Sequence, residues 1–153
     1  MNSRLTLAPK PTLRKGMQLT RVLLADDDPT ARLTLQAVLE AGGYNVDSAA
    51  SAAEAMQKLD SQEYALVLSD RDMEMPDSGL RVLAHARTML YRPAMALINT
   101  QSDGLPAQSA EAEAARKPVQ IELEDIPELL SQVADLIGRR VNRQARREAR
   151  AAC

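Results

Sequence analysis

From Arg21 onward, short apolar runs alternate with stretches of helical periodicity. Arg21-Val22-Leu23-Leu24-Ala25 is nearly continuous in its apolar character, as a strand buried on both faces requires. It stops at Asp26-Asp27-Asp28-Pro29, where Asp28 suits a helix N-cap and Pro29 the first helical position. Leu35, Val38 and Leu39 then recur at helical spacing, and Gly42-Gly43 ends that helix. Tyr44 to Ala49 reads as a second strand. Ser51 with Glu54 is a capping box opening a helix to about Leu59. Tyr64 to Ser69 is a third buried strand, ending at Asp70. A polar loop with Pro76 and Gly79 leads to a helix through Leu80, Leu83 and Ala84 to about Leu90. A fourth strand covers Ala94 to Asn99 after Pro93. The stretch 101–116 is rich in Ala and Glu and weakly patterned, compatible with one short helix. Asp125 and Pro127 start a last helix, whose apolar face carries Leu129, Leu130, Val133, Leu136, Ile137 and Val141.

Strand–helix alternation with short connections implies right-handed crossovers. The expected fold class is α/β: a doubly wound, five-stranded parallel sheet with helices on both faces and a basic C-terminal helical extension. In that class, sites form beyond the carboxyl ends of the strands. Asp26, Asp27 and Asp28, Asp70, Asn99, Thr100 and Lys117 all follow strand ends and become the candidates.

Composition narrows the class. The 153 residues are 45% hydrophobic and 26% charged, a soluble globular mix rather than a disordered or fibrous one. With no Trp, no Phe and three Tyr, the core must be aliphatic. One Cys, at position 153, excludes a disulfide framework and a Cys-based zinc site. No apolar run of about 18 residues is present, so no membrane span is expected. No secretory signal is visible either, and the expected location is the cytoplasm.

The net charge of −2 conceals three zones. Residues 1–20, with Pro9, Pro11 and Gly16, read as a flexible basic arm. Residues 21–138 form the folded body, and from 22 to 138 there are 20 acids against eight bases. Residues 139–153 hold six Arg and one acid, Glu148. Such a tail is either a solvated end or a dock for an acidic partner, nucleic acid or a membrane surface. The bases read as falling on several helical faces, which argues against a membrane amphipath. Without interleaved aromatics or a recognition helix, sequence-specific DNA binding is not expected, leaving only non-specific electrostatic contact.

If the first and third strands are neighbours, Asp26, Asp27 and Asp70 meet. Like charges that close need protonation or a cation. An all-oxygen set suits Mg²⁺, and an Asp beside Mg²⁺ is a competent phosphoryl acceptor. Lys117 supplies a cation for the carboxylate or a phosphoryl oxygen. One acid suffices for helix capping, and that role goes to Asp28. His85, the single histidine, reads as an ordinary residue of the third helix. Met73 and Met75 read as loop and packing residues.

Taken in order, several segments resemble receiver domains of two-component response regulators. They are Val22 to Pro29, Leu39-Glu40-Ala41-Gly42-Gly43-Tyr44 with Val46, Leu66 to Asp70, Met75-Pro76 with Gly79, and Lys117-Pro118. The resemblance covers about residues 21–138 and implies a flavodoxin-like receiver of the single-domain, CheY-like kind. It implies Asp26 and Asp27 as the acidic pair for Mg²⁺ and Asp70 as phosphoacceptor. It implies the backbone carbonyl of Asp72 as a further metal ligand, Lys117 as the phosphate-sensing lysine, and Thr100 as the switch hydroxyl, with Asn99 as the alternative. The implied activity is uptake of a phosphoryl group from a histidine kinase or histidine phosphotransfer protein, with output through a downstream protein target. The chain would be a phosphoacceptor rather than an enzyme.

Departures from the family pattern leave alternatives open. The usual Asp-x-x-Met-Pro is replaced by Asp70-Arg71-Asp72-Met73-Glu74-Met75-Pro76. The strand end selects Asp70, whereas distance back from Met75-Pro76 selects Asp72. Ser78 stands in the acidic-or-small position before Gly79. Ala114 stands where an aromatic switch residue is usual, and the segment before Lys117 is short. The family's output surface is therefore altered, and a degenerate receiver acting as a phosphorylation-independent binding module is the alternative. A small Mg²⁺-dependent phosphohydrolase is a more distant one, for which the chain lacks room for a cap.

Overall fold

A computed structural model of the chain describes residues 20–99, 119–122 and 126–151. The elements run β1 (Arg21–Ala25), α1 (Pro29–Ala41), β2 (Asn45–Ala49), α2 (Ala52–Ser61), β3 (Leu66–Asp70), α3 (Ser78–Arg87), β4 (Ala94–Asn99), β5 (Val119–Glu122) and α4 (Ile126–Ala151). The strands form one parallel sheet in the order β2-β1-β3-β4-β5. β1 therefore lies between β2 and β3, and the chain reverses its direction of winding there.

Because successive side chains of a strand point to opposite faces, the sheet builds two cores. Val22, Leu24, Leu66 and Leu68 pack with Leu35 and Leu39 of α1 and Leu129 and Val133 of α4. On the other face, Leu23, Ala25 and Val67 pack with Ala55 and Leu59 of α2 and Val82 and Leu83 of α3. All five residues of β3 are buried, which accounts for its unbroken apolar run up to Ser69-Asp70.

Local signals set the element ends. The Asp28 carboxylate accepts from the Thr30 N–H at 3.1 Å and caps α1, with Pro29 as the first helical residue. Gly42 closes that helix, and Gly43 takes a left-handed conformation at φ 97°. The Glu54 N–H donates to Ser51 Oγ at 3.1 Å, while the Glu54 carboxylate accepts from the Ala50 N–H at 2.7 Å. Strand β3 starts at Leu66 rather than Tyr64. The buried Tyr64 ring instead turns its hydroxyl to donate to Asp47 at 2.8 Å. Helix α3 is shorter than its periodicity implies and ends at Arg87. Leu90, expected at its end, is 97% exposed.

Helix α4 overturns one sequence expectation. It runs unbroken from Ile126 to Ala151, and from Val141 onward every residue is exposed. At 3.6 residues per turn, Arg139, Arg143, Arg146 and Arg150 stack on one line, with Arg140 and Arg147 beside it. The six arginines thus occupy an arc of about 120° instead of several faces. They look scattered in the sequence because Arg-Arg pairs and Ala residues interrupt their succession.

Candidate metal and phosphoacceptor site

Residues Ala25 and Ser69 are paired across β1 and β3, so the residues that follow them, Asp26 and Asp70, stand side by side at the carboxyl ends of these strands. The parallel register thereby brings together acids 44 positions apart in the sequence. Carboxylate oxygens of Asp26, Asp27 and Asp70 all lie within 4.8 Å of one another. Asp26 and Asp70 are buried, and Asp27 faces solvent.

Asp26 is held rigidly. Its N–H donates to the Ala49 carbonyl at 3.0 Å, and its own carbonyl accepts from Arg32 Nη1 at 2.7 Å. One carboxylate oxygen accepts from the Asp28 N–H at 3.0 Å, whereas the other, Oδ2, is buried with no hydrogen-bond partner among the described residues. Burial raises the Asp26 carboxyl above its ordinary 3.8, and the charges of Asp27 and Asp28 add to the rise. The Asp28 N–H and the Arg32 guanidinium oppose it. A buried anionic oxygen with no donor, facing two more carboxylates, has the chemistry of a site for a hard divalent cation.

That arrangement has a thermodynamic consequence. An acid harder to ionise in the folded than in the unfolded state lowers stability once charged. Without metal, stability should fall as pH rises from 3.8 to the raised folded value, and stay lowered above it. Asp26→Asn should therefore stabilise the metal-free protein at neutral pH. Thermal melts with and without Mg²⁺ check this. Wild type should gain from the cation and the variant should not; a variant that melts lower without metal would contradict the argument.

Asp70 is the last residue of β3, and its Oδ1 accepts from the Arg71 N–H at 2.9 Å. The loop that follows is braced on several sides. The Asp72 carboxylate accepts from the Asp77 N–H at 2.7 Å, so that side chain is engaged in the loop. The Arg71 guanidinium pairs with Asp77 at 3.1 Å rather than with the acidic cluster. Asp77 itself sits at φ 61°, in the left-handed region. Glu74 reaches across to α2, where its carboxylate accepts from the Ala52 N–H at 2.8 and 3.0 Å. Partial burial pushes the Glu74 carboxyl up, but hydrogen bonds from the backbone of Ala52, Glu74 and Ala53 outweigh it and hold the group below its ordinary 4.5. Gly79 in α3 approaches the strand end so closely that its N–H donates to the Arg71 carbonyl at 2.7 Å.

A family model of the response regulator receiver domain matches residues 22–119. The chain belongs to this family. The receiver is also similar to parts of curated proteins. It is 41% identical over 56 residues, 37% of this chain and 5% of the other, to the sensor protein EvgS of Escherichia coli K12. It is 38% identical over 78 residues, 51% of this chain and 10% of the other, to the gliding motility regulatory protein of Myxococcus xanthus. It thus spans a tenth or less of these relatives. Among solved structures, a CheY-like receiver from Methanospirillum hungatei has a TM-score of 0.69 at 21% identity, covering 82% of this chain and 99% of that one, a likeness of fold. The response regulator TrrA of Thermotoga maritima, solved in complex with Mg²⁺-BeF, gives 0.64 at 27% identity, covering 77% and 99%. TrrA in complex with the histidine kinase ThkA gives 0.63 at 27%, covering 77% and 98%. The flavodoxin-like receiver fold, with a parallel sheet and a C-terminal helix, follows from these likenesses and the sheet order above.

Of the residues selected from the sequence, the receiver brings Asp26, Asp27 and Asp70 together, while Asp28 caps α1. Asn99 ends β4, paired with Glu122 of β5. Thr100, Lys117, Pro118, the stretch 101–116 and Cys153 lie outside the described residues, but β5 starts at Val119, so Lys117 precedes a strand instead of following one as the sequence reading expected. The His85 ring meets Asp60 of α2 at 2.7 Å, bridging two helices away from the cluster. Met73 packs against the α2–α3 core and Met75 is half exposed. Two residues that frame the site were missed. Arg32 lies one turn into α1 from the acid triplet, a position from which it was legible. Glu74 acts across 22 positions of sequence, which no local pattern reveals.

Proposed function

We propose that this receiver is a phosphoacceptor response regulator, taking a phosphoryl group from a histidine kinase or histidine phosphotransfer protein onto Asp70. The observation that carries the reading is the buried, unpartnered Asp26 Oδ2 facing Asp27 and Asp70. These three carboxylates, with the backbone carbonyl of Asp72, would hold Mg²⁺, which supplies charge neutralisation on the transferring oxygens. The solved likenesses of TrrA with Mg²⁺-BeF and with ThkA support the same chemistry and the same class of donor.

In the transfer, an oxygen of Asp70 attacks phosphorus as the bond to the donor imidazole nitrogen breaks. The product is an acyl phosphate, later hydrolysed by water to restore the carboxylate and release phosphate. The Arg71 N–H on Asp70 Oδ1 fixes the rotation of the acceptor, and Arg32 steadies the backbone of Asp26. Thr100, or Asn99 in its place, would contact the phosphoryl group and report its presence, whereas Lys117 precedes β5, which begins at Val119, and is given no role there. The added charge then shifts a two-state equilibrium read by a downstream protein target. In this reading the chain is a cytoplasmic signalling protein and not a turnover enzyme.

Intact mass after incubation with acetyl phosphate and Mg²⁺ tests the proposal. The wild type should gain the mass of one phosphoryl group, and chelation of the metal should prevent the gain. A protein that stays unmodified under both conditions, while still folded, would sink it in favour of a binding module.

A further inference from the structure

The exposed end of α4 has no role in phosphoryl transfer, yet it concentrates charge in one direction. Arg139 pairs with Asp135 of its own helix at 3.0 Å. Arg140 turns inward, donating to the carbonyls of Tyr91 and Arg92 at 2.9 and 3.0 Å. Beyond them, Arg143, Arg146, Arg147 and Arg150 are exposed and have no ion-pair partner among the described residues. All four lie on the same side of a helix that is already formed.

We propose that Arg143, Arg146, Arg147 and Arg150 form a docking surface for the phosphate backbone of duplex nucleic acid, read without regard to base sequence. The spacing suits a polyanion. From Arg143 to Arg150 the helix advances about 10 Å, and a duplex carries about six phosphates over that length. Guanidinium forks pair well with phosphate oxygens. The face has no aromatic or large aliphatic side chain among the arginines; Asn142, Gln144, Ala149 and Ala151 flank it, while Val141 and Ala145 lie on the other side. A protein partner would find no apolar anchor there, and such anchors supply most of the affinity of protein interfaces. A phosphate backbone needs none, because neutralising it releases counterions. Docking also costs little ordering entropy, since the helix does not have to form on binding. The acidic body is no obstacle, because the arginines project over a distance comparable to the screening length of about 8 Å at physiological salt.

The test uses the full chain and a fluorescein-labelled 25-base-pair duplex of arbitrary sequence, followed by anisotropy between 50 and 200 mM salt. With four phosphate contacts, affinity should fall about a hundredfold over that range, a log–log slope near −3.6. Replacing all four arginines by Ala should remove most of that slope. A second variant keeps the charge and moves it: Val141→Arg, Ala145→Arg, Arg146→Ala and Arg150→Ala turn two arginines to the opposite face. Its slope should fall by about two units. An unchanged slope would overturn the proposal, because charge alone would then suffice. Equal competition by polyglutamate would overturn it in favour of an acidic protein. Binding to phosphatidylserine vesicles but not to duplex would overturn it in favour of a membrane surface.

Discussion

Asp70→Asn should abolish phosphoryl uptake from acetyl phosphate, and Asp72→Asn should leave it largely intact. The spacing back from Met75-Pro76 favours Asp72, so the two variants decide between real alternatives. The geometry separates them. Asp70 is buried at the end of β3 and shares its pocket with Asp26 and Asp27. The Asp72 side chain is exposed and spent on the Asp77 N–H. An amide at position 70 has no anionic oxygen with which to attack phosphorus, and the residual rate should fall by several orders of magnitude, a change of about 4 kcal/mol or more in the barrier. An amide at position 72 keeps a carbonyl oxygen to accept from Asp77, and its main chain stays available for the proposed contact with the metal. Intact mass at matched time points reads both. Uptake that survives in the Asp70 variant and vanishes in the Asp72 variant would reverse the assignment.

Gly79→Ala should be among the most destabilising single-methyl additions in the chain. Gly79 lies inside α3, where replacing glycine by alanine ordinarily favours the helix by about 1 kcal/mol. Here the added Cβ would stand 2.1 Å from the Asp70 carbonyl oxygen and 2.9 Å from the Arg71 Cα. Both are backbone atoms, so no side chain can swing aside, and α3 or the end of β3 must shift. Overpacking of that kind costs about 3 kcal/mol, which outweighs the gain in helix propensity. The net loss is about 2 kcal/mol, so for a chain of this size the melting temperature should fall by about 4–8 °C. The displaced segment carries Asp70, the proposed acceptor, so phosphoryl uptake should slow even at temperatures where the variant is folded. A variant that melts at or above the wild type would show that α3 can move away from the end of β3 at no cost. A small residue is needed at this point because the loop returns α3 directly onto the strand end, which also explains the buried Ser78 before it.

Where the signals were local, the sequence was legible. The apolar run of β1, the Asp28-Pro29 start and Gly42-Gly43 end of α1, and the Ser51–Glu54 pair of α2 each rest on neighbours within a few positions. The meeting of Asp26, Asp27 and Asp70 was legible one step further on, because a parallel sheet places sites at the carboxyl ends of its strands. The remainder depended on distance or angle. The contact between Glu74 and Ala52 exists only once β1 and β3 have paired. Tyr64 looked like strand because it is aromatic and buried, but its hydroxyl needed Asp47. The arginine face was lost by reading neighbours along the chain instead of positions 100° apart around the helix axis.

Arg140 marks the fulcrum of a lever. On one side of it α4 is keyed to the body through Leu129 and Val133, and on the other about 16 Å of helix stands free. With no break at Gly138, a tilt of the seated half by about 10° would swing the tip by about 3 Å, given the straight rise of an α-helix. The arginines are therefore slaved to the attitude of the sheet's partner helix, and a small reorientation inside the body is delivered, magnified, at its far end.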